Sequence, residues 1–496
     1  MASLVKEYSQ EKLLGQIYTP SFVVCKILDD IGYNSTNILG KTIIDPACGD
    51  GRFLEEVVRR IIKLSTKNDL KKNLLCVYGW DIDSEAIKEC IKNLNDLIKD
   101  KNINIEWNIC VTNSIKKYET SDLFYVNEVQ KFDFIVGNPP YIRIQHLDVE
   151  QRQYIQTNYD FCKSGSTDIY IAFYELCLNF LSENGVCGLI TPNTFLFTET
   201  ARQMRQHFAE NKLLLQITNY GDIQLFNNAT TYSAITIFNK KQNDNFRFQK
   251  AITETTFEEK IFDFSELQEP FWQLTTEKNE IIKGKKLKEI CNIHVGITTL
   301  CDAAYIFSVE DIDESFVYAN TKLKGKIKIE KSILKPIVKG SKLKHSDEEI
   351  KEYVLFPYHQ INGKHIIIPE NDLKENYPLA YNYLHSIKKE LDKRDNGIPN
   401  SVSWYAFGRS QGLDTSFGEK IIFSPMNEKP NFIYYSNPNC TFYSGYCIKF
   451  NGNIDKIMPQ LNSDRMERFV SMSSRDFRGG WKAYNKKIIE NFEITV

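Results

Sequence analysis

Residues 42–51 read TIIDPACGDG, a short apolar run that leads into a turn containing two glycines. Apolar side chains recur at helical spacing from Phe53 to Ile62, which predicts a helix directly after the turn. A strand, a glycine turn and a helix in this order form the first unit of a doubly wound α/β sheet. Ligands of such sheets bind beyond the carboxyl ends of the strands, so we expect this turn to border a ligand site.

The alternation of strands and helices continues along the first half of the chain. Thr19 and Pro20 begin a helix whose apolar positions recur as far as Ile31. Further strands are predicted at residues 74–79, 103–110, 132–137, 186–190, 213–217 and 234–238, with another helix at 169–181. Strands separated by helices predict a parallel, doubly wound, Rossmann-like sheet.

The chain is too long to form a single core. With 496 residues it is expected to fold into two or three domains. The alternation ends in a polar stretch at residues 239–245, and short β-like runs follow, with helical stretches near 379–391 and 454–472. We therefore predict an α/β domain over residues 1–245 and a second, α+β domain over residues 246–496.

Composition argues against several classes of protein. The formal net charge is -2, so any surface for nucleic acid must be local. The 12 cysteines contain no Cys-x-x-Cys pair and the 7 histidines lack zinc-ligand spacing, so neither a disulfide framework nor a metal site is indicated. No apolar run approaches the ~20 residues that cross a bilayer, and the first residues lack a signal-peptide core. We expect a cytoplasmic monomer without a metal or a membrane contact.

The glycine turn favours a nucleoside ligand that lacks a pyrophosphate. Leu54 stands where a dinucleotide fingerprint requires a third small residue, which argues against NAD. Gly49 and Gly51 allow a compact charged group to approach the backbone, and Asp81 after the next strand can accept both ribose hydroxyls. Asp45 can face an ammonium group, where opposite charge is favourable. S-adenosylmethionine has these features.

Residues 138–141 read NPPY and follow the fourth predicted strand. Taken alone, the four residues are typical of an ordinary turn. In this position the Asn138 side-chain oxygen and the Pro139 carbonyl can accept hydrogen bonds from the two N–H groups of a purine amine. These bonds make the amine nitrogen a better nucleophile. Tyr141 can stack on the base. These contacts strengthen as positive charge develops on the amine, which is a requirement for catalysis.

Four motifs together resemble the γ-class N6-adenine DNA methyltransferases in content and in order. They are GQIYTP at residues 15–20, DPACGDG at 45–51, Asp81, and NPPY at 138–141. The resemblance covers residues 9–240. Weaker similarity to the target-recognition domain of TaqI-like enzymes is carried by residues 295–299, 334–336, 404–405 and 480–481.

The resemblance implies methyl transfer from S-adenosylmethionine to N6 of an adenine flipped out of double-stranded DNA. It implies that Asn138 and Pro139 activate the amine, with Pro140 and Tyr141 as further residues of the catalytic loop. The implied cofactor site comprises Tyr18, Thr19, Pro20, Asp45, Pro46, Ala47, Cys48, Gly49, Gly51, Asp81, Ile82, Asn113 and Pro140. A restriction-modification or related defence system is the expected setting, with a separate restriction endonuclease as a possible partner and no nuclease fused ahead of the first motif.

Two positions depart from the family pattern. Asn113 stands where the family commonly has Asp, so its contact with the cofactor adenine carries no charge. The second aromatic wall for the target base is not obvious, because Ala201 lies near its usual place. Phe195 or Phe197 is the candidate for that wall, and core packing is an equal alternative for either ring.

Contacts to DNA are expected from basic residues. Lysines concentrate at residues 283–288 and 322–339, and Lys335 and Arg143 are our candidates for phosphate contact. A solvated strand face explains any single lysine equally well. Two alternatives to the DNA enzyme stay open: a methyltransferase that acts on RNA or on a protein glutamine, and a non-catalytic protein that kept the fold.

Overall fold

The structure is a computed structural model that describes residues 19–119, 130–163, 167–226, 231–267, 271–276, 284–474, 476–477 and 479–495. The chain forms two compact units, Met1–Asn279 and Glu280–Val496. Among the described residues, no helix combines the length and the apolar character needed to cross a membrane.

A nine-stranded sheet organises the first unit. Its strands are β1 (Ile43–Asp45), β2 (Val77–Asp81), β3 (Asn108–Val111), β4 (Phe132–Gly137), β5 (Leu181–Pro192), β6 (Leu214–Asn219), β7 (Ser233–Asn239), β8 (Asn245–Ala251) and β9 (Phe257–Asp263). They lie in the order β3-β2-β1-β4-β5-β7-β6-β8-β9. The first five strands are mutually parallel, as the alternation predicts. The doubly wound α/β fold is therefore confirmed.

The sheet is mixed, which differs from the purely parallel sheet of the prediction. β7 runs antiparallel to both of its neighbours, β5 and β6. β8 and β9 then extend the sheet, β8 parallel to β6 and β9 antiparallel to β8. The first unit consequently continues beyond the predicted boundary at residue 245.

Helices cover both faces of this sheet. They are Ser21–Asp30, Arg52–Leu64, Leu70–Leu74, Ser84–Ile98, Val149–Asn158, Ile169–Phe180 and Arg202–Glu210. One apolar core contains Val23, Val57 and Ile87 from three of the first helices, and the opposite core contains Phe173 and Met204 from two later ones. All three residues of β1 are buried, as expected for a strand covered on both faces. A ligand can therefore reach Asp45, the polar residue at the end of β1, only from the edge of the sheet.

The second unit has a different, α+β architecture. Its six-stranded sheet contains, in spatial order, Gly325–Glu330, Phe316–Thr321, Ile306–Ile312, Glu352–Leu355, Leu334–Lys339 and Thr441–Tyr443. A four-stranded sheet contains Asn292–Val295, Tyr446–Lys449, Lys420–Phe423 and Phe432–Tyr435. Smaller sheets pair Lys285–Lys286 with Glu493–Ile494, Tyr358–Ile361 with Lys364–Ile367, and Trp481–Ala483 with Met426–Asn427 and Asp476–Phe477.

Helices of the second unit lie where the sequence predicts helical stretches and at several shorter places. They are Leu287–Ile290, Asp302–Tyr305, Glu370–Asn376, Pro378–Ser386, Lys388–Leu391, Ile454–Leu461, Asp464–Ser473 and Lys486–Ile489. The stretch predicted at 379–391 is divided between two helices, and so is the stretch predicted at 454–472. The division between Ile454–Leu461 and Asp464–Ser473 coincides with Ser463, whose side chain caps the second helix.

Candidate active site

A cavity of about 610 Å³ lies at the carboxyl ends of β1, β2 and β4. Most of the predicted site residues line it: Thr19, Asp45, Pro46, Ala47, Cys48, Gly49, Asp81, Ile82, Asn113, Asn138 and Pro140. Residues from four separate motifs are thus brought to one place. Pro20, Gly51, Pro139 and Tyr141 are not among the lining residues, and Tyr18 lies outside the described residues.

Hydrogen bonds hold the glycine turn against the end of β2. The Gly49 amide donates to Asp81 Oδ2 at 2.9 Å, and the Cys48 amide donates to the Trp80 carbonyl at 2.9 Å. Gly51 has φ +94°, and a Cβ at this position would lie 2.7 Å from Cys90 Sγ. Only glycine fits this combination of backbone conformation and close packing. Gly51 therefore shapes the turn rather than lining the cavity.

Asp45 is a buried acid at the floor of the cavity. Its Oδ1 accepts the Ala47 amide at 3.0 Å, and a Cβ on Gly137 would lie 2.7 Å from the same oxygen. Burial raises the pKa of Asp45 to about 8, and the nearby Asp81 carboxylate adds to the shift. The acid is therefore ready to ionise when a cation enters, because opposite charge offsets the cost of burying the carboxylate.

Asp81 and Ile82 present a polar and an apolar surface side by side. Besides the Gly49 amide, Asp81 accepts the Asp83 amide at 2.9 Å through Oδ1. Each carboxylate oxygen can accept more than one hydrogen bond, so a ribose hydroxyl can still bind there. Ile82 lines the cavity and is 61% exposed. A planar apolar ring would cover it.

Asn113 and its neighbour border the third side of the cavity. Asn113 Oδ1 accepts the Ile115 amide at 3.1 Å. The Ser114 hydroxyl donates to the Pro46 carbonyl at 2.5 Å and ties this loop to the segment that follows β1. Asn113 thus lies where the resemblance places it, as a neutral residue whose oxygen already accepts one backbone bond.

Asn138 is held by two hydroxyl groups. Its Nδ2 donates to Thr19 Oγ1 at 3.1 Å, and its Oδ1 accepts from the Tyr141 hydroxyl. The Tyr141 hydroxyl also lies 3.2 Å from the Ile190 carbonyl, and its ring packs edge-on against Tyr170. Burial raises the pKa of Tyr141, so the phenol keeps its proton. The amide that is predicted to activate the substrate is thus fixed from both sides.

The two rings proposed for the second aromatic wall pack in the core. Phe195 is 0% exposed, and its ring contacts Tyr174 and Trp272 at centroid distances of 5.8 and 6.5 Å. A buried ring offers no face to a base, so its assignment to base binding is wrong and the core alternative is correct. Phe197 is partly buried against the same core.

The two basic candidates are surface or half-buried residues. The Arg143 side chain is exposed, and its backbone forms an isolated antiparallel β-bridge with Asp168 next to the NPPY loop. Lys335 is half-buried in the strand Leu334–Lys339 of the second unit. Their predicted contact with DNA stays a prediction.

Sequence reasoning missed one wall of the cavity. This wall is formed by Lys116, Ile142, Leu147, Gln151, Tyr154, Ile155, Ile169 and Phe173. Part of it belongs to the helix Val149–Asn158, which has weak apolar periodicity and a single buried residue among its ten. A signal was present, since Asp148 and Gln151 have the spacing of a capping box and the Asp148 side chain accepts the Gln151 amide at 2.8 Å.

Residues 59–226 match the sequence family described as Eco57I restriction-modification methylase. Over these residues the chain is similar to restriction-modification methylases. This similarity confirms the resemblance that the four motifs predict.

Two curated relatives and one solved structure extend the match over the whole chain. The Type II restriction enzyme and methyltransferase RM.Eco57I of Escherichia coli is 27% identical, over 95% of this chain and 56% of its own length. The Type II methyltransferase M.BanIII of Aneurinibacillus aneurinilyticus is 25% identical, over 97% of this chain and 87% of its own. The chain therefore spans little more than half of the E. coli relative.

The structure of the Type IIL restriction-modification enzyme MmeI in complex with DNA superposes with a TM-score of 0.64. It is 13% identical and covers 97% of this chain and 68% of that one. At this identity the match establishes the shared fold, in both units of the chain.

Proposed function

We propose that this protein is a site-specific DNA methyltransferase that transfers a methyl group from S-adenosylmethionine to N6 of an adenine flipped out of double-stranded DNA. The observation that carries the proposal is the convergence of Asp45, Asp81 and Asn138 on one cavity. Relatives that are Type II restriction-modification methyltransferases support DNA as the acceptor. The second unit, in this proposal, is the target-recognition domain.

The cavity residues fit S-adenosylmethionine. Asp45 would pair with its ammonium group, since the buried acid gains a counter-charge. Asp81 would accept the ribose hydroxyls, and Ile82 with Pro140 would cover the two faces of the adenine ring. When bound, the cofactor supplies a methyl group on a positively charged sulfur.

Asn138 and Pro139 would prepare the target amine. The lone pair of adenine N6 is delocalised into the ring, and hydrogen bonds from its two protons draw the nitrogen toward a tetrahedral shape. The Asn138 oxygen and the Pro139 carbonyl would accept one hydrogen bond each. Both contacts strengthen as N6 gains positive charge, so they stabilise the transition state more than the bound substrate. The chain therefore needs no strong base before transfer.

The target base must leave the duplex to reach this loop, which costs a few kcal/mol of unstacking and unpairing. Basic residues such as Arg143 and Lys335 would offset part of that cost by phosphate contact. A restriction endonuclease that cleaves the unmodified site would be the functional partner of this activity in a restriction-modification system.

The experiment measures transfer of labelled methyl groups from S-adenosylmethionine to duplex DNA by the purified chain, followed by nucleoside mass spectrometry. We expect N6-methyladenine as the product. Asn138→Ala should lower the transfer rate by about 10³-fold or more while cofactor binding is retained. Label on RNA or on protein glutamine would replace DNA as the acceptor, and transfer that survives Asn138→Ala would refute the role of the amide.

A further inference from the structure

The catalytic amide contacts a residue that enters the site from another part of the chain. Thr19 lies two residues before the first described helix, Ser21–Asp30, and its hydroxyl lies 3.1 Å from Asn138 Nδ2. The two residues are 119 positions apart in the sequence. Thr19 is 6% exposed, so water competes poorly for this hydrogen bond.

We propose that Thr19 is a positioning residue for methyl transfer. Its hydroxyl accepts a hydrogen bond from the Asn138 side-chain nitrogen, and this contact orients the amide oxygen toward the target amine. The inference rests on the proposed function and deepens it. Its starting point is the pair of contacts on Asn138, with the nitrogen end on Thr19 and the oxygen end on the Tyr141 hydroxyl.

A carboxamide has one useful orientation in this reaction. Its oxygen can accept a hydrogen bond from the amine. Its NH2 group cannot, because both it and the amine are hydrogen-bond donors. The two ends have nearly the same shape, so packing alone discriminates weakly between the two orientations. A hydroxyl at the nitrogen end stabilises the productive orientation when it accepts the amide N–H, although a hydroxyl can also donate to an oxygen in the same place. Thr19 Oγ1 occupies that position in the structure.

The Tyr141 hydroxyl makes the hydrogen bond to Asn138 that an N–H group of the substrate amine would make in the proposed reaction. It donates to the same Oδ1 that is proposed to accept from N6, and burial keeps it protonated. Its second possible acceptor, the Ile190 carbonyl, is 3.2 Å away, so the hydroxyl can turn to that carbonyl when the amine arrives. Thr19 needs no such rearrangement, and it can hold the amide throughout the reaction.

Thr19 also lines the cofactor cavity, so its two possible roles must be separated by experiment. A residue that only binds the cofactor changes the dissociation constant, and the transfer rate recovers at saturating cofactor. A residue that positions Asn138 changes the rate of the transfer step itself. The decisive measurement is the single-turnover rate with both cofactor and duplex DNA saturating, together with the cofactor dissociation constant.

Three variants test the inference. Thr19→Val removes the acceptor at nearly constant volume and should lower the single-turnover rate by ~10–100-fold, with a change in cofactor dissociation constant below about threefold. Thr19→Ser keeps the hydroxyl and should restore the rate to within about threefold of wild type. Thr236→Val is the matched control, because Thr236 is 1% exposed and its hydroxyl bonds to Tyr174 at 2.9 Å. It should lose stability while its transfer rate stays that of the wild type.

A Thr19→Val protein that transfers at the wild-type rate when saturated would overturn the inference alone, and the proposed function would stand. The same holds if the defect disappears when cofactor is raised, or if Thr19→Ser is as slow as Thr19→Val. A wild-type protein that binds the cofactor but does not methylate adenine in DNA would overturn the proposed function and this inference together.

Discussion

Two neighbouring loops at the edge of one sheet are held by different forces. The glycine turn after β1 is fixed by the Gly49 amide, which donates to the Asp81 carboxylate, and by Gly51, where a Cβ would collide with Cys90. The NPPY loop after β4 is fixed by neutral side chains, through the hydroxyls of Thr19 and Tyr141 on Asn138. Hydrogen bonds to a charged group are stronger than those between neutral groups.

This difference corresponds to what each loop would have to do in the proposed reaction. The cofactor side would have to stay in place, so rigid backbone contacts are suitable there. The acceptor side would have to exchange the Tyr141 hydroxyl for the N–H groups of an incoming base, and neutral hydrogen bonds exchange at low cost. We therefore expect substitutions on the cofactor side to change binding, and substitutions on the acceptor side to change the transfer rate.

The largest effect is expected from Gly137→Val. The new side chain would begin 2.7 Å from Asp45 Oδ1, and because neither backbone can move freely, the acid would be displaced from the cavity floor. We expect destabilisation of roughly 1–3 kcal/mol and loss of detectable cofactor binding. Thermal unfolding and calorimetric titration measure the two. A variant that binds cofactor with unchanged affinity would show that Asp45 does not contact it.

A smaller effect is expected from Asp81→Asn, which removes the charge and places a donor group against the amide of either Gly49 or Asp83. We expect cofactor binding to weaken by ~10–100-fold, while the transfer rate at saturating cofactor changes little, since this contact is equal in ground and transition states. Steady-state kinetics over a wide cofactor range separates the two. A transfer rate that falls at saturation would contradict the division between the two loops.

Cofactor binding should depend on pH through Asp45. The acid has a pKa of about 8 in the free protein and would be ionised in the complex. Binding should therefore release a proton below pH 8, and affinity should rise by up to ~10-fold per pH unit from about pH 6 to about pH 8. Above that range the α-amino group of the cofactor itself loses its proton, at a pKa of roughly 7.7–8.0, so affinity should decline again.

Calorimetry in buffers of different ionisation enthalpy counts the protons. Asp45→Asn is the control, and it should bind weakly without the rise below pH 8. A wild-type affinity that is flat from pH 6 to pH 8 would show that Asp45 does not ionise on binding.

The smallest effect is expected from Phe195→Leu. Because Phe195 packs in the core, the variant should lose roughly 1–2 kcal/mol of stability and keep the wild-type transfer rate and DNA affinity. Thermal unfolding and single-turnover kinetics test both. A specific loss of DNA affinity with normal stability would return Phe195 to the base-binding wall.

Much of the site was readable before the structure because its residues cluster at strand ends. Asp45, Asp81 and Asn138 each follow an apolar run, and the carboxyl ends of parallel strands must meet at one edge of the sheet. The helix Val149–Asn158 escaped notice because its contacts with the cavity need few apolar residues. Phe195 was misassigned because a ring near the expected position carries no information about which way it points.

The doubly wound fold and the positions of the glycine turn and the NPPY loop could be predicted from local features, because apolar periodicity and glycine turns are local properties of the chain. The antiparallel direction of β7, the contact of Thr19 with Asn138 and the core location of Phe195 became known only from the packed structure. These depend on distances between residues far apart in sequence, which are established only when the packed sheet brings them together.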